Sequence, residues 1–274
     1  MIGPTRDDWL KQHPYLEPAA DLHALVERAA DEVPMPRAPV PQWQDYVDEF
    51  EGGVPLLRSR SAAIDLTPAG QALTALVDRL SASRLPSALA GQCRALQIDL
   101  HAGAEAPGQA VAWLLDRSSP VPPYAGQLQY LGWTVVARYL SDVVAAFHAW
   151  RDEERWFRNY CPTCGTLPSM AQLVGTDPGR MRFLSCGHCR TRWRYRRTGC
   201  PFCETEDDHR LAAFAVEGES PLRIDYCDAC RGYLKTYIGE GREALLLADW
   251  TTLHLDVIAG RRDLKRFAAS LYEL

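Results

Sequence analysis

The sequence predicts an N-terminal bundle of α-helices, followed by two small cysteine-rich β modules in tandem and a C-terminal helix. The first observation behind this fold class is the helical periodicity of apolar residues before residue 157. The second is a change at residue 160 to short β-type runs, and the third is a group of eight cysteines between Cys161 and Cys230. We therefore expect an α-helical domain over 1–157, a first module over 158–199, and a second module with a C-terminal helical segment over 200–274.

Prolines and apolar spacing divide the N-terminal part into separate helices. Residues 21–33 place Leu22, Leu25 and Val26 on one face, and the proline-rich segment 34–41 ends this helix. Proline is favourable in the first turn of a helix, which predicts further helices at 67–80, 86–101 and 107–115. The longest apolar pattern runs from residue 127 to about 156 and predicts one long helix. Together these segments predict a bundle of five or six helices, and another helix is expected at about 245–259.

Residues 160–237 contain one small module twice. The Cys-x-x-Cys pairs that begin at Cys161 and Cys200 are 39 positions apart, and those that begin at Cys186 and Cys227 are 41 positions apart. Short β-type runs at 181–184, 192–195 and 222–226 lie between the cysteine turns. Because the copies match in order, we expect each to be a complete structural unit.

Four Cys-x-x-Cys pairs in this arrangement indicate two metal sites. Each pair delivers two sulfurs from one tight turn, and two turns complete a tetrahedral thiolate site. The pairs of each copy are separated by 21 and 23 residues, near the spacing of zinc ribbons. The alternatives are structural cysteines without metal and a thioredoxin-type dithiol, but a dithiol needs only one pair at a helix start. The predicted ligand sets are Cys161, Cys164, Cys186 and Cys189 for one ion, and Cys200, Cys203, Cys227 and Cys230 for the other.

Several neighbouring residues are interpreted without a metal role. Zinc and iron both accept four thiolates, so the residues leave the metal open. His188 lies inside a knuckle and is expected to be a solvent-facing turn residue, while Cys93 stands alone in an apolar stretch and is expected to be buried. With every coordination position filled by protein, neither site has room for a substrate. No HExxH, GxSxG or phosphate-loop pattern occurs, so we predict no catalytic or cofactor-binding residues and no enzyme activity.

The formal net charge of −5 conceals one basic block. Residues 156–203 carry a balance of +7, whereas 1–155 carry −7 and 204–274 carry −5. This block could be a solvated surface, a docking surface for an acidic protein, or a nucleic-acid-binding surface, although the acidic remainder opposes the last. The candidate partner-binding residues are Arg180, Arg182, Arg190, Arg192, Arg194, Arg196 and Arg197, called the arginine strip below.

The order of these motifs resembles a known family, the FdhE-type formate dehydrogenase accessory proteins. The resemblance covers about 100 residues. It is carried by Cys161-Pro-x-Cys-Gly, Arg182-Phe-Leu-x-Cys-x-x-Cys, Trp193, Arg197, Cys200-Pro-x-Cys, Tyr226-Cys-x-x-Cys, Tyr233-Leu-Lys235, Ala248-Asp249 and Leu253-x-Leu255-Asp256.

The resemblance implies an accessory protein for the maturation of a respiratory, membrane-bound formate dehydrogenase. Such a protein would hold two iron ions in rubredoxin-like sites of four thiolates each, with two zinc ions as the alternative. Its partner would be the catalytic subunit of the enzyme, which it would bind before export. The chain shows no signal peptide and no membrane-spanning run, so we expect a cytoplasmic location. The remaining alternatives are a zinc-ribbon nucleic-acid-binding protein and a rubredoxin-like redox protein.

Overall fold

The computed structural model describes residues 5–116 and 120–272, and these residues form two compact units. One unit contains the described parts of Met1–Ala20, Asp48–Leu56 and Arg151–Ser270, and the other those of Asp21–Val47, Leu57–Trp150 and Leu271–Leu274. The sequence placed all residues up to 157 in one helical domain, whereas the structure packs residues 5–20 and 48–56 with the cysteine-rich part. The predicted domain boundaries at 157/158 and 199/200 remain predictions. The first and last predicted domains also include residues 1–4 and 273–274, which lie outside the described residues.

Eight α-helices precede residue 151 within the described residues. They are α1 (Arg6–Gln12), α2 (Glu17–Asp31), α3 (Trp43–Glu51), α4 (Thr67–Ser81), α5 (Ser87–Leu100), α6 (Ala106–Leu115), α7 (Ala125–Tyr139) and α8 (Ser141–Trp150). The predicted N-terminal helical region is thereby confirmed. The predicted helix over 127–156 is wrong as a single element, because the chain leaves helical geometry at Leu140 and α8 ends at Trp150. Both helices carry buried apolar residues, so the apolar spacing continues across this break and the pattern alone conceals it.

Helix α4 forms the centre of the helical unit, where it packs against α5, α6 and α7. Its buried face contains Leu73, Leu76 and Val77, which are fully enclosed. Gly70 allows close approach of α6, because a Cβ atom here would lie 2.9 Å from the carbonyl oxygen of Pro107. Cys93 of α5 is buried as predicted, and burial raises the pKa of its thiol.

Within the part of the chain that the structure describes, six strands form a single sheet in the other unit. They are β1 (Met170–Val174), β2 (Met181–Ser185), β3 (Arg192–Tyr195), β4 (Leu211–Ala215), β5 (Leu222–Cys227) and β6 (Tyr233–Ile238), in the spatial order β3-β2-β1-β6-β5-β4. Each copy of the repeat is a three-stranded antiparallel meander. The two meanders join through parallel pairing of β1 with β6, in which Met170 is opposite Lys235. The tandem modules are therefore confirmed, and the structure adds that they share one sheet.

Apolar residues from both ends of the described chain pack on the second meander. Trp9 and Leu16 join Leu222, Ile224 and other residues of the sheet in one buried cluster. Helix α9 (Glu243–Leu246) and helix α10 (Leu253–Gly260) complete this core, so the predicted C-terminal helix is two short helices with a 3₁₀ turn between them. Among the described residues no helix has the length and apolar character that crossing a lipid bilayer requires.

Candidate metal centres

All four Cys-x-x-Cys pairs adopt the same turn. In each, the amide of the first cysteine donates a hydrogen bond of 2.8–2.9 Å to the carbonyl oxygen five residues later. The residue after the second cysteine of each pair has a left-handed backbone, with φ of 79° at Gly165, 62° at Arg190, 57° at Glu204 and 63° at Arg231. Amides inside the turns point at sulfur, as in the 3.4 Å contact from the His188 amide to Cys186 Sγ. The repeat seen in the sequence is thus a repeat of backbone geometry.

The first site brings together Cys161, Cys164, Cys186 and Cys189, which are all buried. Two sulfur pairs are in contact: Cys161 Sγ lies 3.4 Å from Cys189 Sγ, and Cys164 Sγ lies 3.5 Å from Cys186 Sγ. Two threonine hydroxyls also contact the cluster. Thr166 Oγ1 lies 3.2 Å from the sulfurs of Cys164 and Cys186, and Thr191 Oγ1 lies 3.2 Å from that of Cys189.

The second site brings together Cys200, Cys203, Cys227 and Cys230 and is more open. Cys200 Sγ lies 3.6 Å from Cys230 Sγ, and Cys203 Sγ lies 3.8 Å from Cys227 Sγ. Cys203 is exposed and Cys230 is partly exposed, whereas the other two cysteines are buried. Gly232 stands at the position that corresponds to Thr191, so this copy lacks that hydroxyl. The two sites therefore share their ligands but differ in solvent access and in the groups around the sulfurs.

The sulfur arrangement fits one metal ion in each cluster. Four sulfurs bound at about 2.3 Å around a tetrahedral ion lie roughly 3.8 Å apart, close to the separations of the contacts above. All sulfurs of a cluster lie within 4.8 Å of one another. The cysteines thus form two four-cysteine metal-binding sites, paired within each copy. Bound metal would hold the ends of the short strands together, and the ligand chemistry accommodates zinc and iron alike.

The pKa values of the cysteine thiols indicate why each cluster needs a cation. Burial raises the pKa of the Cys161 and Cys164 thiols well above the usual range, because a buried thiolate loses its hydration. Burial also opposes ionisation of Cys186, but hydrogen bonds from the other three thiols outweigh it and lower the pKa of Cys186. In the second site burial likewise raises the pKa of Cys200. Four thiolates at one site are therefore stable only around a positive ion.

His188 differs from its predicted role, because it is buried rather than facing solvent. It lies in the second turn of the first site, where its backbone amide points at Cys186 Sγ. A knuckle position was expected to be exposed, but this turn is covered by the fold. His188 is therefore part of the enclosure of the first site.

The arginine strip is only partly a surface. Arg182 is 7% exposed, and its guanidinium donates a hydrogen bond of 3.0 Å to the carbonyl oxygen of Gly199. Arg182 is therefore buried in the fold rather than part of an exposed strip, and its contact with a partner remains a prediction. In β2 the side chain of Met181 faces solvent and that of Arg182 faces inward, because successive side chains of a strand point to opposite faces.

Acidic residues neutralise much of the remaining strip. Arg180 and Arg197 both pair with Asp177, at 3.0 and 3.3 Å. Arg194 pairs with Glu154 at 2.5 Å, and Arg196 pairs with Glu206. Arg192 is half-buried, with its guanidinium 5.4 Å from the centre of the Phe183 ring. The strip is acid-free in the linear sequence but not in space, because the fold brings in acids from both sides.

A pocket of about 270 Å³ lies beside the second site. Its lining includes Cys200, Phe202, Arg182, Arg197, Arg223 and Asp225. Arg182 and Arg223 occupy equivalent positions in the two copies, and Arg223 Nε lies 2.6 Å from Asp225 Oδ1. The repeat thus places two arginines of the same register at one pocket.

A buried ionic network near β6 gives a structural role to Lys235, Asp249 and Asp256, for which the sequence predicted none. Lys235 Nζ contacts Asp249 and Asp256, and Arg266 contacts the same two carboxylates. Tyr233 donates a hydrogen bond of 2.7 Å to Asp256, and the Asp256 charge adds to burial in raising the pKa of Tyr233. The sequence of β6 does not separate a buried from an exposed face, because five of its six residues are buried, Lys235 among them. The signal available in the sequence was the pair of acids, Asp249 and Asp256, that follows β6 and offers partners for a buried lysine.

The fold and its paired sites define a class of protein with tandem four-cysteine modules. Residues 160–197 match the family profile described as "FdhE, central domain". A "Protein FdhE homolog" of Aquifex aeolicus is 39% identical over 85 residues, covering 31% of this chain and 30% of that protein. One of Pseudomonas putida is 31% identical over 173 residues, covering 60% and 53%. The matched segments thus span about a third to a half of these relatives.

A solved structure extends the likeness to the whole fold. The crystal structure of the FdhE protein from Pseudomonas aeruginosa superposes with a TM-score of 0.60, covering 98% of this chain and 96% of that chain at 22% identity. This similarity shows a common fold. Together with the profile and the relatives, it confirms the resemblance to FdhE proteins that the cysteine motifs predicted.

Proposed function

We propose that this chain is an accessory protein for the maturation of a respiratory formate dehydrogenase, and that it binds the catalytic subunit of that enzyme. The observation that carries the proposal is the pair of four-cysteine sites in an FdhE fold. All four positions of each site are occupied by cysteine sulfur, which suits a binding protein better than a hydrolytic enzyme. On this proposal the chain binds the catalytic subunit in the cytoplasm, before that subunit is exported.

Both sites are proposed to hold iron, as the resemblance implies. Four sulfurs at these separations accept ferric and ferrous ions without rearrangement, and they accept zinc equally well. An absorption spectrum of protein produced with iron available tests this assignment. Ferric thiolate sites are red, whereas a colourless protein with two equivalents of zinc would contradict the assignment.

The exposed end of the arginine strip is proposed as part of the partner surface. Arg196 and Arg197 have side chains that are 42% and 45% exposed, and Arg197 also lines the pocket beside the second site. Their pairs with Glu206 and Asp177 are exposed, so exchanging them for an acidic partner group costs little. An acidic segment of the catalytic subunit would therefore find both positive charge and a recess at this place.

A pull-down from host lysate tests this binding. The wild-type chain should retain the catalytic subunit, and Arg196→Glu with Arg197→Glu should weaken retention at least several-fold. Arg37→Glu is the matched control, because Arg37 also forms an exposed ion pair, with Asp142, in the helical unit. Equal retention by the double variant and the wild type would contradict the proposed surface. Absence of the catalytic subunit from the wild-type pull-down would contradict the proposed function.

A rubredoxin-like redox role is the second candidate, and the exposure of Cys203 favours it. An exposed ligand gives a donor or acceptor protein close access to the metal, which the enclosed first site does not. Reversible reduction of the second site by a physiological partner, without any effect of the chain on formate dehydrogenase, would favour this role. Nucleic-acid binding is opposed by the acidic remainder of the chain, since residues 1–155 carry a balance of −7 and residues 204–274 carry −5.

A further inference from the structure

A third group of metal-ligating side chains lies away from the cysteines. His13 follows α1, Glu219 lies in the connection between β4 and β5, and His254 lies in α10. One ligand atom from each lies within 4.8 Å of the other two. The side chains are 4%, 9% and 10% exposed, so three distant segments deliver these groups to one buried place.

Hydrogen bonding fixes the proton on His13. Its Nδ1 lies 2.9 Å from the carbonyl oxygen of Trp9, and since a carbonyl only accepts, Nδ1 must carry a hydrogen. Its Nε2 lies 3.0 Å from both carboxylate oxygens of Glu219. A lone pair on Nε2 would face those oxygens unfavourably, so a proton or a metal ion lies between them. A ring whose other nitrogen donates to a backbone carbonyl is the usual arrangement for a histidine that binds metal.

His254 distinguishes these two possibilities. Its Nε2 lies 3.0 Å from Glu219 Oε2, but the ring is not aligned for an N–H donor. Within the described residues neither buried ring nitrogen of His254 has a hydrogen-bond partner. One proton between His13 and Glu219 leaves this imidazole unsatisfied, at a cost of roughly the desolvation of a buried polar group. A cation bound by both rings and the carboxylate gives His254 Nε2 a partner as well as His13 Nε2 and Glu219.

We propose that His13, Glu219 and His254 form a third metal site, for a divalent cation of the Zn²⁺ class. Two imidazoles and one carboxylate are an established zinc ligand set that leaves one coordination position for water or another group. Ligand atoms about 2.0–2.1 Å from a tetrahedral ion lie roughly 3.3 Å apart, near the separations found here. The ring of Tyr15 lies edge-on to both histidines, 5.9 and 5.6 Å away, and partly covers the site. The site ties the N-terminal segment to the second meander and α10.

Titration of Zn²⁺ into the full chain, purified with both four-cysteine sites filled, tests the proposal by calorimetry and metal analysis. The wild type should bind one further equivalent. Glu219→Gln and His254→Asn should each lose this equivalent while retaining the two metals at the cysteines, which also reports that they fold. His209→Ala is the matched control, because it removes the exposed group Asp207, Asp208 and His209 and should leave the further equivalent intact.

Two results would overturn the site. The first is a wild type that takes up no further zinc, which would assign the cluster to a protonated histidine–carboxylate pair. The second is a further equivalent that survives Glu219→Gln and His254→Asn, or that is lost only in His209→Ala. Neither result depends on formate dehydrogenase, so this experiment tests the third site independently of the proposed function.

Discussion

Lys235 Nζ lies 2.6 Å from Asp249 Oδ1, and the two side chains are 1% and 8% exposed. Lys235 is in β6, the strand that joins the two meanders, and Asp249 begins the 3₁₀ turn before α10. Asp256 and Arg266 complete a set with two positive and two negative groups. The buried network is therefore neutral, and it connects the middle of the sheet to the C-terminal segment.

Replacing Asp249 by Asn should destabilise this unit strongly. The substitution leaves Lys235 and Arg266 buried with one carboxylate between them, and loss of one partner of a buried pair costs about 3–5 kcal/mol. The free energy of unfolding in urea measures the effect. Asp142→Asn is the matched control, because the exposed pair of Asp142 with Arg37 should contribute less than about 1 kcal/mol. Similar losses of unfolding free energy in the two variants would show that burial does not determine how much these ion pairs contribute.

Acid should weaken the same network. Burial raises the pKa of the Asp249 carboxyl, but the charges of Lys235 and Arg266 outweigh burial and hold this pKa well below its usual range. A carboxyl with a lowered folded-state pKa stabilises the protein fully above its unfolded pKa, about 3.9, and loses that contribution as the pH falls toward the folded-state value. The free energy of unfolding should therefore drop below about pH 4. Asp249→Asn should reduce the dependence of the unfolding free energy on pH in this range. An unchanged pH dependence would contradict the role assigned to the Asp249 carboxyl.

Metal should leave the two sites at different rates. Cys203 of the second site is exposed and Cys230 is partly so, whereas all four cysteines of the first site are buried. A chelator should therefore remove one equivalent quickly and the other slowly, as measured by metal release over time. Cys203→Ser should abolish the fast phase and Cys164→Ser the slow phase. Release of both equivalents in one phase would show that burial of the sulfurs does not govern access.

Glu204 should be replaceable by glycine with a gain in stability. Its φ of 57° is left-handed, which costs a residue with a Cβ about 1–2 kcal/mol, and the first copy has Gly165 at this position. Part of the gain is offset by the larger entropy of glycine in the unfolded chain. Glu204→Gly should raise the free energy of unfolding by about 1 kcal/mol. Glu204→Ala is the control, since it removes the same side chain without relieving the backbone, and an equal gain would refute the explanation.

The metal centres were predictable because their signal is local. Four Cys-x-x-Cys turns and a register of 39 and 41 positions specify which sulfurs meet, with no knowledge of the packing. The strands β2, β3 and β5 were predicted for the same reason, since they lie next to the cysteine turns. No local motif predicts the parallel pairing of β1 with β6, because it joins residues 65 positions apart in sequence.

The positions of charged residues were less predictable. Arg182 lies in the same arginine-rich stretch as its more exposed neighbours, and its hydrogen bond to the carbonyl oxygen of Gly199 forms only in the folded chain. The ion pairs of the arginine strip and the His13–Glu219 contact likewise join residues from separate segments. A charge pattern along the chain reports which groups are present, whereas their partners depend on the tertiary fold.

Formate oxidation in a strain that lacks this chain tests the central claim most directly. The deletion strain, with no second copy of the gene, should lose respiratory formate dehydrogenase activity while the catalytic polypeptide is still present. Wild-type chain and Cys93→Ala should restore activity, whereas Cys186→Ser with Cys227→Ser should not, because it opens both metal sites. Normal formate oxidation in the deletion strain, or full rescue by the double cysteine variant, would contradict the account.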